Sequence, residues 1–171
     1  MFSAIKNPYS LIIFLLFLIT NSFYANILNA QSNKTDNCRH RAVVLTPLED
    51  EDGRQAEKKS VTIKAELALT EDQRKQGLMH RHHLDEKAGM MFFWEEPQKV
   101  FMWMKNTFIP LDMIFINGQK IVGIVEATQT QNTTPLTVPA FADKILEVNH
   151  GLTKAHGVKK GWGAKIGKCL P

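Results

Sequence analysis

The sequence predicts an α+β fold that is mostly β: a strongly curved antiparallel or mixed sheet, or a small barrel, with one or two short helices. Three observations carry this expectation. Short runs rich in β-branched and aromatic residues recur from Arg41 to Ile166, no strand–helix–strand alternation links them, and Asn117-Gly118 is a strong two-residue hairpin signal. The chain has 171 residues, 44% hydrophobic and 22% charged. Those are globular values, and they exclude a disordered or collagen-like chain.

Residues 1–30 read as a secretory signal. Lys6 supplies a positive start, Leu11 to Ile19 is an unbroken apolar run, and small or polar residues follow up to Ala25 and Ala30. Cleavage is expected near Ala30, with Ala25 as the other position. An uncleaved anchor is the weaker reading, because the apolar run is about half of the roughly 20 residues that cross a bilayer. The expectation is therefore export, to a periplasm or beyond. Residues 31–60 form a polar lead, one strand and a charged loop. Residues 61–166 form the principal region, and 38–171 one structural domain.

Arg41 to Thr46 reads as a strand, and Leu48 to Ser60 as a charged loop whose acidic run at Glu49–Asp52 is a solvated hairpin tip. Val61 to Leu69 alternates, with Val61, Ile63, Ala65, Leu67 and Leu69 on one face. Thr70 opens a short helix as N-cap, Gln73 completes a capping box, Glu71 and Asp72 suit the positive helix end, and Gly77 closes it. Strands are expected at Gly89–Trp94, Val100–Asn106, Asp112–Ile116, Lys120–Val125, Lys144–Val148 and Gly161–Ile166. Gly151 to His156 reads as a helical turn.

The chain has two cysteines, Cys38 and Cys169, near opposite ends of the exported part. Oxidising conditions outside the cytoplasm make a bridge between them plausible, the alternative being two free thiols on the termini.

From Thr70 to Asp112 the chain carries a distinctive pattern: Arg74, Gly77-Leu78-Met79, Arg81, Leu84, Gly89-Met90 and Phe92, then Trp103-Met104-Lys105-Asn106-Thr107 with Ile109-Pro110-Leu111-Asp112. Leu146-Glu147-Val148 and Gly151 extend it. This pattern resembles the DUF192 family, small and often exported prokaryotic domains of uncharacterised function. The resemblance covers Val61 to Ile166 and implies a compact, mostly β fold, but no reaction. Many exported members carry cysteines in the loop after the central hairpin; here Gln129 to Pro135 has none.

Trp103, Lys105, Asn106, Thr107 and Asp112, with Arg74, are the candidate ligand-binding residues. In a strand Trp103 shares a face with Phe101 and Lys105, and an aromatic plate beside polar groups suits a sugar or another small polar ligand. The structural alternative is turn chemistry at Asn106 and Thr107, with Asp112 paired to Arg74 or Lys105. Met79, Met90, Met91, Met102, Met104 and Met113 are concentrated in one stretch. Met102 and Met104 with His82 and His83 would suit copper in an oxidising compartment, whereas core packing is the ordinary use of such methionines. Glu66, Asp112 and Glu147 are the carboxyls available for acid–base work, and no spacing forces them together. No nucleophile, zinc or phosphate-loop motif is present. Net charge is +4, skewed toward Lys154, Lys159, Lys160, Lys165 and Lys168, a face suited to anionic envelope polymers. No nucleic acid, resident metal or cofactor is expected.

The leading expectation is a non-catalytic envelope domain that binds a small polar or glycan ligand, or a protein partner, near Trp103–Asp112. The second is an enzyme acting on envelope material with Asp112 and Lys105 as acid–base groups. The third is a periplasmic copper-binding protein.

Overall fold

A computed structural model describes residues 38–47, 60–127 and 129–170, and these described residues form seven strands and two short helices. The expected signal segment and the charged loop at 48–59 lie outside the described residues. The strands are β1 (His40–Thr46), β2 (Val61–Ala68), β3 (Ala88–Gln98), β4 (Leu111–Asn117), β5 (Lys120–Ala127), β6 (Ala142–Asn149) and β7 (Gly163–Leu170). Helix α1 spans Glu71–Gln76 and α2 spans Leu152–His156. No helix among the described residues is long and apolar enough to cross a membrane.

The strands close into a barrel in the order β1-β2-β3-β6-β4-β5-β7. β2 and β3 pair in parallel and every other pair is antiparallel. The sheet is thus mixed, because the connection from β2 to β3 carries α1 across the outside rather than turning back as a hairpin. Between β5 and β7 a single register pair, Lys120 opposite Gly163, completes the ring.

Period-two alternation sorts the side chains into two layers. Val61, Ile63, Met91, Ile114, Ile116, Leu146 and Val148 fill the barrel. Met90, Phe92, Met113, Phe115 and Ile145 leave the same strands on the outer face and pack under a second layer. The roof of that layer is α1 with the segments 99–110 and 129–141. The methionines of this stretch are thus mostly packing: Met90, Met91, Met104 and Met113 are all buried.

The helix signals hold. Thr70 Oγ1 accepts from Gln73 N at 3.2 Å, and Gln73 Oε1 accepts from Thr70 N at 2.9 Å. Gly77 ends the helix at φ +49°, and a Cβ there would lie 3.2 Å from the Phe92 ring. Three expectations need correction. Val100–Asn106 is not a strand: it carries one isolated bridge, Met102 to Leu136, then turns at Asn106 with φ 53°. The central hairpin loop is Gly118-Gln119, since Asn117 pairs with Lys120. A positive φ at Gly118 but not at Gln119 matches a type II′ turn rather than type I′. The last strand begins at Gly163, because Gly161 and Trp162 instead exchange backbone hydrogen bonds with Ile121, both at 2.8 Å.

Cys38 and Cys169 form a disulfide, with Cα atoms 5.6 Å apart and a sequence separation of 131. It ties the start of β1 to the end of β7, two strands paired antiparallel in the barrel. Replacing both cysteines by serine is expected to lower unfolding free energy by about 2–4 kcal/mol. Denaturant melts of the two proteins under oxidising conditions measure this directly.

Candidate functional site

The segment from Val100 to Met104 alternates although it is not a strand. Val100 and Met104 are buried, Met102 is half-buried, and Phe101 and Trp103 are 61% and 48% exposed. Backbone bonds from Met102 to Leu136 and from Met104 N to Asn132 O hold this phase. The chain then turns: Thr107 N donates to Met104 O at 3.1 Å, and Thr107 Oγ1 to Lys105 O at 3.2 Å. Asn106 O accepts from His80 N at 2.8 Å.

Beside Trp103 runs a groove of about 360 Å³, lined by Arg74, Lys75, Phe92, Trp94, Phe101 and Met102 among others. A second groove of about 610 Å³ adjoins it, with Leu69, Phe93, Glu95, Glu96 and Gln98 on its walls. Arg74 and Trp94 belong to both. The Arg74 guanidinium donates to Leu69 O at 2.7 Å and Phe93 O at 3.0 Å, and lies 5.5 Å from the Trp94 ring centroid. Both bonds come from Nη1, so one nitrogen spans the two carbonyls while the guanidinium lies over the indole.

A narrow slot of about 20 Å³ descends under the same roof, lined by Gly77, Met79, Phe92, Trp103, Thr107 and Glu147 among others. Glu147 is 4% exposed, and desolvation by burial pushes its carboxyl up to about 8. The sequence names Glu147 as a carboxyl but gives it no partner. Its place in an apolar run, Lys144 to Val148, is the signal that it is buried.

The structure separates the expected cluster. Arg74, Trp103 and Thr107 border one slot and groove system, whereas Lys105 and Asn106 are exposed at the turn beyond it. Asp112 pairs with neither Arg74 nor Lys105, correcting the expected ion pair. It is fully buried, and its oxygens accept from His150 Nδ1 at 2.9 Å, Gly151 N at 3.1 Å, Thr153 N at 3.0 Å and Thr153 Oγ1 at 2.6 Å. The N-cap of α2 is Gly151, which has no side chain to cap with, so β4 supplies the oxygen.

The remaining candidates lie elsewhere. Glu66 receives both guanidinium nitrogens of Arg81, which hold its carboxyl below the ordinary range. His82 stacks on Phe108 with ring centroids 4.7 Å apart, and His83 meets Asp85 at 3.2 Å. Neither is placed with Met104, which is in the second core. Lys154, Lys159 and Lys160 border a separate groove, and Lys165 and Lys168 are exposed on β7.

A mostly β barrel with an aromatic groove on its outer roof is the class of protein seen here. Residues 52–166 match the model of the family DUF192, described as an uncharacterized ACR, and the chain belongs to that family. A solved structure from Sinorhizobium meliloti 1021, described as a candidate transcription regulator, is 32% identical with a TM-score of 0.66. The match covers 75% of this chain and 95% of that one. A protein of unknown function from Novosphingobium aromaticivorans DSM 12444 is 28% identical with a TM-score of 0.66, over 77% of this chain and 88% of that one. The chain has no significant match among curated proteins.

Two outcomes are expected. Asp112→Ala strands the donors of His150, Gly151 and Thr153, and should cost about 2–4 kcal/mol of stability, read by denaturant melts. For Glu147, the folded state keeps its proton to about pH 8, whereas the unfolded carboxyl releases it near 4.5. The folded state binds more protons across that window, so this contribution to stability falls as pH rises through it, by on the order of 5 kcal/mol at most. Melts of wild type and Glu147→Gln from pH 4 to 9 should diverge in the variant's favour toward high pH.

Proposed function

We propose that this chain is an exported cell-envelope protein that binds a glycan or similar small polar ligand in the groove beside Trp103, without turning it over. One observation carries the reading. Four large apolar side chains are exposed among the described residues, Leu69, Phe101, Trp103 and Phe141, and the first three border two grooves that share Arg74 and Trp94. Exposed apolar groups gathered in one place mark a binding surface more than scattered ones do. Flat rings present a face to the C–H face of a sugar, and Glu71, Lys75, Glu95, Glu96 and Gln98 supply donors and acceptors for its hydroxyls.

The disulfide and the lack of a membrane-spanning helix among the described residues are compatible with an exported protein. The expected leader at residues 1–30 supports the same compartment. The exposed lysines at 154, 159, 160, 165 and 168 support a secondary contact with anionic envelope polymer. The Sinorhizobium protein's description as a regulator belongs to that protein; the carboxyls lining both grooves here disfavour a polyanion. An acid–base pair of Asp112 and Lys105 loses support, because both Asp112 oxygens are already engaged within the fold.

Titration calorimetry with neutral envelope-type oligosaccharides tests the proposal. Trp103→Ala is expected to weaken binding at least ~tenfold while stability changes by about 0.5 kcal/mol or less, the side chain being surface-exposed. Equal affinity in wild type and variant would overturn the groove assignment. Binding by no oligosaccharide would redirect the reading to a protein partner.

A further inference from the structure

Beneath the aromatic rim is a carboxyl that ligand stacking leaves unused. Glu147 stands in register with Met90 on β3 and Met113 on β4, on the outer face it shares with Ile145. Every fully enclosed side-chain nitrogen or oxygen among the described residues has a hydrogen-bond partner. The Glu147 oxygens make no such bond in the described chain, so they keep an opening, and the slot below Trp103 provides it. That slot holds about 20 Å³, room for roughly one water-sized group.

Its walls are mixed: Leu78, Met79, Phe92 and Met102 line it together with Gln76 and Thr107, with Arg74 and Lys75 at its border. The cations that border it, Arg74 and Lys75 of α1, are directed to other partners: Arg74 to two backbone carbonyls, Lys75 to Glu71 at 2.7 Å. From β3, β4 and the 102–107 turn the neighbours are Met90, Phe92, Met113, Met102, Trp103 and Thr107, none of which titrates. Gln76 and Thr107 are the neutral polar side chains there. The Thr107 hydroxyl hydrogen is given to Lys105 O, leaving Oγ1 free to accept.

We infer that Glu147 and Thr107 form a subsite for one hydroxyl group of a neutral sugar stacked on Trp103. A protonated carboxyl donates and the Thr107 oxygen accepts, and a hydroxyl is the small group that does both. A carboxylate or phosphate is too large for a slot of about 20 Å³, which holds roughly one water-sized group. The subsite therefore selects uncharged sugars, and it works while Glu147 keeps its proton. This assignment rests on the groove reading above and adds to it which sugars are accepted.

The test uses the full chain with maltotriose, cellotriose and chitotriose as probes, read by calorimetry and by carboxyl-carbon NMR of labelled glutamate. For a trisaccharide that binds, affinity should hold below about pH 8 and fall roughly tenfold per pH unit above it, and the Glu147 titration should move to higher pH in the complex. Glu147→Gln, whose amide still donates, should keep binding and flatten the profile. Glu147→Leu and Thr107→Val should each weaken it roughly tenfold or more. Binding that is pH-independent in wild type and unchanged in Glu147→Leu overturns the subsite, leaves the groove reading standing, and marks the slot as a place for water only. Binding of none of the three overturns both. Melts of each variant confirm that the fold is retained.

Discussion

Strands β3, β6 and β4 carry apolar side chains on both faces, and much of the molecule is arranged around that fact. A barrel covers one face of each strand. Met90, Phe92, Ile145, Met113 and Phe115 leave on the other face and must be covered too. Each such side chain contributes roughly 1.5–3 kcal/mol when taken out of water, so an outer layer is required rather than optional. That layer is built from irregular chain, and its backbone groups need partners: Met102 finds Leu136, Met104 finds Asn132, and Gln131 finds Thr107. Once this bonding sets the phase of the segment, Val100 and Met104 face the sheet, and Phe101 and Trp103 face outward. The groove is a consequence of the second core.

The crossover from β2 to β3 is fastened by two arginines that act at opposite ends. Arg74 bonds the carbonyls of Leu69 and Phe93, joining the exit of β2 to the middle of β3. Arg81 grips both carboxyl oxygens of Glu66 back on β2. Arg81 uses the forked geometry of a guanidinium, which a lysine lacks, whereas Arg74 bridges its two carbonyls through Nη1 alone. The Arg74 guanidinium lies over the Trp94 ring, so the residue that fastens the roof also shapes the wall shared by both grooves.

How much of this was legible depended on whether the determinant was local. The alternation of Val61 to Leu67, the Thr70–Gln73 capping box and the Gly77 stop rest on neighbours in the chain, and they are found where the sequence places them. That Trp103 and Phe101 share a face was legible from parity, whereas its exposure is set by the core beneath. The strand expected over Val100–Asn106 failed because parity does not reveal whether a pairing partner exists, and Met102 has one bridge and no ladder. Asp112 misled for a related reason. Its partners are 38 to 41 residues away, at a helix whose cap is a glycine, and nothing near Asp112 announces that need. The closed ring and its parallel pair were likewise set by long-range pairing.

Glu147 poses the sharpest physical question. A carboxyl between two methionines on a two-faced strand forgoes the packing that a leucine or methionine would bring, and burial holds it near 8 instead of 4.5. Buried ionisable groups are poor sources of stability, and apolar replacements of similar volume are often neutral or better. Packing therefore does not explain the residue. Nor does an ion pair, since the nearby Arg74 and Lys75 are directed to other partners. What distinguishes position 147 is its opening into a slot one small group wide that Trp103 also lines. A group that weakens the fold yet points into such an opening is best accounted for by what enters it.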